Sequence, residues 1–403
     1  MRVAACSVAG RLRRFQLPAP HRTSCTAAGA RPPADRMRMA VKQHGCLHEV
    51  TQTVHHICAV KPPAAATASA VLSSVSGIDR TAVEELIHIG AVHIGSVKLG
   101  AAAAKQQQQQ QRQRQPQRAA GGPAAAAAAP PFQVDGLSRL ASPDAPIARG
   151  TYLRLHAAPR RFARAAAADW RARVLHACAD YVVIDKPAGV PSVPTTDNAA
   201  DSALWRARAA LGGDAARPLH AVSRLDVCTS GVLVFARSPA AAAALSGAIS
   251  ARAVRKVYRV VTTGAEVPLG VLRHCCSTRA RTGDAQPRIY APFDAAKACG
   301  DGSGWRLAEL EVLSHDRGSG ASTISLMTGR THQIRLQLAA LGAGIVGDSR
   351  YADIIGKVHD GTAASDRTDW FGPEPEEIRL HAAALEFDWG GERVCYTAEP
   401  PWA

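Results

Sequence analysis

The chain has 403 residues, room for two or three domains, and carries 48 Lys and Arg against 33 Asp and Glu, a formal charge of +15. Alanine inflates its 47% hydrophobic content and only 5% is aromatic, so part of the chain is expected to lie outside any packed core. The basic excess points to a polyanionic partner, ten scattered cysteines fit a reduced compartment rather than a disulfide scaffold, and no run of about 18 uncharged apolar residues reads as a membrane span.

Residues 1–45 are rich in Arg, Ala, Ser and Pro, and Asp35 is their first acidic residue, which predicts a disordered organelle transit peptide. Val71–Val97 then reads as a capped helix, a turn and a short strand. Asp79 is the expected cap, Val83, Leu86 and Ile87 recur at helical spacing, Gly90 closes the helix, and Val92 and Ile94 alternate. This pattern resembles the alpha-L RNA-binding motif, with a generic helix-turn-strand as the alternative. Polyglutamine (Gln106–Gln111) and polyalanine (Ala124–Ala129) runs mark residues 101–131 as an unstructured insert within this module. The module, taken as 71–162, resumes in an alternating strand around Ile147–His156.

Residues 170–403 read as one catalytic domain. Strands are predicted at Tyr181–Asp185, Val232–Phe235, Lys256–Val261, Trp305–Leu313 and Ser322–Leu326. Ser238-Pro239 opens an alanine-rich helix running to about Val254, and a second helix is expected from Thr331 to about Leu341. Runs of strands with occasional helices imply an α+β fold rather than a βαβ repeat. His274, Cys275, Cys276 and Cys299 are poorly spaced for zinc, so no metal is expected.

Two polar clusters carry the chemistry. Arg224-Leu225-Asp226 precedes a glycine turn and a strand, a placement that holds a carboxylate rigidly at the mouth of a cleft. Taken alone, Asp226 reads first as a structural cap of the Thr229-Ser230 turn. Thr328-Gly-Arg-Thr-His-Gln-Ile-Arg335 opens the last helix and sets cations at its mouth.

In order along 175–403, the blocks Val182-Val-Ile-Asp-Lys-Pro-Ala-Gly-Val190, Ser223-Arg-Leu-Asp-Val-Cys-Thr-Ser-Gly-Val232, Lys256-Val-Tyr258, Thr328–Arg335 with Ile345-Val-Gly-Asp348 and Tyr351, and Leu380-His-Ala382 resemble the RluA-type pseudouridine synthases. The N-terminal half makes the chain look most like plant and algal organelle members. The resemblance implies a mixed, mostly antiparallel sheet with a central RNA-binding cleft. It also implies isomerisation of uridine in rRNA or tRNA to pseudouridine, without metal or cofactor, by a monomer. Chloroplast is the expected location, with the mitochondrion as alternative.

The resemblance makes Asp226 the nucleophile, attacking the sugar or otherwise assisting cleavage of the glycosidic bond. Arg335 would keep that carboxylate ionised and oriented, and Tyr258 would stack on the uracil and assist proton transfer. Arg224 would bind a phosphate or fill the gap left by the flipped base. Lys186, Arg330, His332 and Gln333 would shape the cleft and bind RNA. Ser223 and Gln337 stand where the family often has histidine, which implies altered RNA contacts. A non-catalytic RNA-binding or ribosome-assembly factor on the same fold is the main rival. A glycoside hydrolase would need a second placed carboxylate, and a nucleotide hydrolase a phosphate-binding loop that the chain lacks.

Overall fold

The structure, a computed structural model, describes residues 41–42, 46–51, 53–97, 134–212, 218–277, 288–292, 305–356 and 372–402. The expected leader, apart from Val41–Lys42, and the whole Gln/Ala insert lie outside these residues. Among the described residues the chain forms two sheets, one of six strands and one of twelve.

The smaller sheet contains β1 (Val41–Lys42), β2 (Cys46–Thr51), β3 (Val54–Ala59), β4 (Val92–Val97), β5 (Val134–Arg139) and β6 (Thr151–His156), in the order β1-β2-β3-β6-β4-β5. Helices α1 (Ala68–Ser76) and α2 (Arg80–His88) cover it, packing Val71, Leu72, Val83 and Ile87 against Ile57, Leu153 and Leu155. The Asp79 carboxylate accepts from the Thr81 and Ala82 N–H groups, as its position predicted, and Gly90 turns the chain into β4 at φ +78°. The β2–β3 hairpin was not anticipated. His48, His55 and His56 interrupt its apolar alternation, yet the two strands pair over their full length and supply the neighbour that β6 needs on its second edge. The sheet thus begins well before Val71, and Val41–Lys42, inside the segment expected to be disordered leader, pairs with β2.

The small sheet is tied to the rest of the protein at one corner. The Ile89 carbonyl accepts from the Ala199 and Ala200 N–H groups at 2.7 and 3.2 Å, and the Arg139 guanidinium donates to the carbonyls of Gly90 and Thr195. A Cβ at residue 90 would lie 2.8 Å from that of Ala199, so only glycine permits this approach. Beside it, Asp201 is almost wholly buried and accepts from Arg161, Arg206, Asn198 and the Phe162 N–H.

The larger sheet contains β7 (Val174–Ala177), β8 (Tyr181–Lys186), β9 (His220–Ala221), β10 (Ser230–Ala236), β11 (Arg255–Gly264), β12 (Gly270–Ser277), β13 (Arg288–Pro292), β14 (Trp305–His315), β15 (Ala321–Leu326), β16 (Ala343–Ile345), β17 (Leu380–Trp389) and β18 (Glu392–Thr397). Its main path is β13-β12-β14-β15-β11-β17-β10-β8-β7, antiparallel except where β10 meets β17, which gives the expected α+β fold. Among the described residues four α-helices accompany it: α3 (Ala163–Ala167), α4 (Ala203–Ala210), α5 (Pro239–Ser250) and α6 (Gln333–Ala340). Strands β8 and β10 are buried on both faces. Val182, Ile184, Leu233 and Phe235 face α4, while Tyr181, Val183, Val232 and Val234 face α5, which explains their unbroken apolar runs. On the other half, α6 inserts Ile334 and Leu338 against β11, β14 and β15. Cys275 is disulfide-bonded, whereas Cys46, Cys58, Cys178, Cys228, Cys276 and Cys395 are free thiols.

The two halves meet at Gly231. It sits at φ +112°, paired with Ala382 of β17, which in turn pairs with Tyr258 of β11. A Cβ on residue 231 would fall 2.2 Å from the Ala382 carbonyl oxygen. Gly231→Ala is expected to cost at least about 1–3 kcal/mol from backbone strain alone, read as a lower midpoint in urea denaturation.

Asp201 supplies a pH signature. Hydrogen bonds from Arg161 and Asn198 outweigh its burial and hold its pKa at about 2, below the ordinary 3.8. Because the folded value is depressed, its contribution of about 2 kcal/mol is fully present above the unfolded value and disappears as pH falls through the folded one. Asp201→Asn should therefore lower stability at pH 7 by about that amount and flatten the loss of stability between pH 3.8 and about 2, measured by denaturant titration at each pH.

Candidate active site

Between the two halves of the larger sheet lies a cleft of about 700 Å³. Its walls are the 222–229 loop before β10, the end of α5 with Arg252 and Val254, Lys256 and Tyr258 on β11, and the 326–335 segment that leads from β15 into α6. Among the described residues Asp226 is its only acidic lining residue, against Arg224, Arg252, Lys256, Arg330 and Arg335. A cleft so charged concentrates polyanions.

Asp226, Tyr258 and Arg335, distant in sequence, all line this cleft. The Asp226 carboxylate does not cap the following turn. Its backbone carbonyl accepts from the Thr229 N–H instead, which leaves the side chain, 16% exposed, facing the cleft. Arg335 Nη1 lies 3.6 Å from one carboxylate oxygen and His332 Nε2 lies 3.7 Å from the other. Burial pushes the Asp226 pKa above the ordinary carboxylate value, with Arg335, Arg224 and Lys186 pulling against it.

Arg335 is held more firmly by other groups. Its side chain is fully buried, forks onto Asp348 at 2.7 and 2.8 Å, donates to Glu374 at 2.7 Å, and packs over the Tyr351 ring at 4.9 Å. Arg350 also reaches Glu374, at 3.3 Å. Two cations thus face three carboxylates, so Arg335 fixes the position of Asp226 without fully neutralising it. Asp226 is thus one of three carboxylates around Arg335 rather than its sole partner.

His332 begins α6 in the left-handed region at φ 53°, and the helix starts at Gln333 rather than at a capping Thr331. Burial and the Arg335 charge pull its pKa down to about 4, so the ring is neutral near pH 7. Arg335 Nη1, which can only donate, meets His332 Nδ1 at 3.3 Å, and the Tyr351 hydroxyl meets the same nitrogen at 2.6 Å. The ring proton therefore resides on Nε2, the nitrogen that faces Asp226.

Tyr258 occupies a buried position on β11 beside a register shift against β17, a strand irregularity of the kind that re-aims side chains next to sites. Burial and the Asp226 charge raise its pKa, so the phenol stays protonated. Arg224 is exposed on the cleft rim and Ser223 lines it beside Asp226, both placed to meet a ligand. Arg330 also lines the cleft while its Nε anchors to the Leu307 carbonyl at 3.0 Å.

Three expectations are overturned. Lys186 is fully buried and donates to the carbonyls of Pro187, Val190 and Val227, so it stitches the 187–190 turn to the Asp226 loop instead of presenting its charge at the surface. Burial lowers its pKa to about 7, while three carbonyl acceptors favour the ammonium form, which alone has three donors. Gln333 is also buried, and its amide locks the 328–330 loop through Thr328 Oγ1, the Arg330 N–H and the Glu309 carbonyl. Gln337, wholly buried, bonds His274 and the Leu272 and Ala308 carbonyls, so its departure from histidine alters packing rather than RNA contacts. Conversely, the roles of Asp348, Tyr351 and Glu374 were not anticipated. The first two sit in a quoted motif that offered a signal, whereas Glu374 lies in a segment with no periodicity at all.

Removing the centre of this network should be severe. Arg335→Met is expected to destabilise the fold by about 3–5 kcal/mol, because it strands buried carboxylates, and thermal melting measures the loss.

Residues 180–340 match the family described as RNA pseudouridylate synthase. The chain is 33% identical over 298 residues to RNA pseudouridine synthase 6, chloroplastic, of Arabidopsis thaliana, covering 63% of this chain and 60% of that protein. It is 33% identical over 184 residues to the dual-specificity RNA pseudouridine synthase RluA of Haemophilus influenzae, covering 44% of this chain and 75% of that one. A solved human structure, RNA Pseudouridylate Synthase Domain Containing 4, aligns over 60% of this chain and 92% of its own at 22% identity, with a TM-score of 0.43. The match to the chloroplastic relatives spans 60–62% of their length. The three-quarter coverage of the bacterial protein at this identity, with the family motifs in order around one cleft, establishes that the chain belongs to the RNA pseudouridine synthase family.

Proposed function

We propose that this protein isomerises specific uridines of chloroplast rRNA or tRNA to pseudouridine, with Asp226 as the group that starts the reaction. The observation that carries this reading is the single carboxylate at the floor of a cationic cleft, oriented by Arg335 and by the Nε2–H of a neutral His332. Isomerisation breaks the bond from the uracil nitrogen to the sugar, turns the base, and rejoins it through carbon. One proton leaves that carbon and one is gained by nitrogen, so atoms balance with no metal, redox partner or cofactor.

Each residue has a part. Asp226 acts at the sugar or at the glycosidic bond as the nucleophilic group. Tyr258, held as a phenol, offers a ring for the extruded uracil and a hydroxyl that donates rather than abstracts a proton. Extrusion costs a few kcal/mol, and Arg224 on the rim is placed to compensate by holding a phosphate or entering the gap. The six-stranded module, with its α2–Gly90–β4 turn, extends the RNA surface beyond the cleft. An Arg-rich, acid-poor N-terminal sequence and the names of two relatives support the chloroplast as location.

The test incubates purified protein with plastid rRNA and tRNA transcripts and maps pseudouridine. Asp226→Asn should reduce formation to background while RNA binding persists, and turnover in that variant would overturn the assignment. RNA bound by the wild type without any pseudouridine would favour the non-catalytic rival. The acidic limb of kcat/KM should fall above pH 3.8, since Asp226 must ionise to act and burial raises its pKa.

A further inference from the structure

Resting on the reading of this cleft as an RNA-modifying site, we infer that Lys256 and Arg252 form a subsite for the backbone phosphate next to the target uridine, in the cleft that Arg224 also lines. Neither residue is used by the chemistry above.

Lys256 precedes Tyr258 by two positions on β11, so the two side chains share a face and lie about 6–7 Å apart along the strand, the scale of one nucleotide. It is half-buried in the cleft wall, yet no carboxylate among the described residues pairs with it. Burial alone pulls its pKa below the ordinary lysine value, with no opposing charge. A cation placed this way is at a disadvantage until an anion arrives. RNA offers one at that spacing.

Arg252 supplies an independent observation. It follows the end of α5 in the left-handed region at φ 59°, where its N–H donates to the Ile249 carbonyl and that of Ala253 to the Ala248 carbonyl. Glycine is the residue that such a helix end favours, and any side chain there is strained. Here the strained position directs a guanidinium into the cleft wall. Its Nη1 bonds Glu309 at 3.0 Å, and Arg273 bonds the other oxygen of the same carboxylate at 2.9 Å. Two arginines, each 54% exposed, share one carboxylate that is 8% exposed, which leaves a net positive charge and free N–H donors at the rim. Glu309 is itself fixed, because its carbonyl accepts from the N–H groups of Met327 and Thr328. The guanidinium is therefore pre-positioned for a phosphate.

The experiment measures binding of a fluorescent single-stranded uridine-containing RNA to the full chain by anisotropy across a KCl series, for wild type, Lys256→Met and Arg252→Gly. Each variant should bind about tenfold more weakly, as expected for one lost charge-assisted contact, and its log-affinity should depend on log-salt with a slope shallower by about 0.7. Melting temperatures should hold or rise, because one variant removes an unpaired half-buried charge and the other relieves a strained backbone. During turnover the loss should appear in KM rather than kcat. Unchanged affinity and salt slope in either folded variant would overturn the subsite, as would a fall in melting temperature with the slope intact. Pseudouridine formation is followed in parallel. Wild-type protein that shows the salt-dependent contact but makes no product would overturn the isomerase reading and leave the subsite standing.

Discussion

The protein depends on a buried guanidinium. Arg335 joins four pieces of chain that share no continuous element: helix α6, the turn carrying Asp348, the segment carrying Glu374, and the loop carrying Asp226. Taking such charges out of water costs several kcal/mol per ion, and the forked bond to Asp348 with the Tyr351 face beneath it offsets this. Asp226 stands 3.6 Å off, outside hydrogen-bond distance, the least satisfied carboxylate of the three. The network is nearly closed, and Asp226 is where it remains open.

Much of this was legible in the sequence, and the rest was hidden for definite reasons. Asp226 and Arg335 were visible because short motifs fix local backbone: a glycine turn after the aspartate, a helix mouth before the arginine. Buried strands such as Tyr181–Lys186 announced themselves as unbroken apolar runs. Direction was not legible. Lys186 and Gln333 are polar residues in motif positions, and only the fold shows that they point inward to backbone carbonyls and loop amides. The β2–β3 hairpin escaped because histidines occupy positions where a strand would usually show apolar residues. Glu374 escaped because a side chain that matters only through a long-range contact leaves no local trace.

The distance between the two principal side chains is set by sheet geometry rather than by loops. Gly231 closes the Asp226 loop against β17, and the opposite edge of β17 carries β11 with Tyr258, so two strand spacings of about 4.8 Å separate the elements that hold them. Packed strands do not stretch. The loop residues around the cleft are held in their turn by amide and carbonyl contacts, chiefly those of Gln333 and Glu309.

The corner where Ile89, Gly90 and Arg139 grip the 195–200 turn gives the small sheet a meaning of its own. A module hung on a slack tether would raise only the local concentration of a ligand, whatever the ligand's shape. One bolted in place acts as a caliper. Its span to Asp226 is fixed, so any one ligand that engaged both would have to match that separation, a constraint of outline rather than of local sequence.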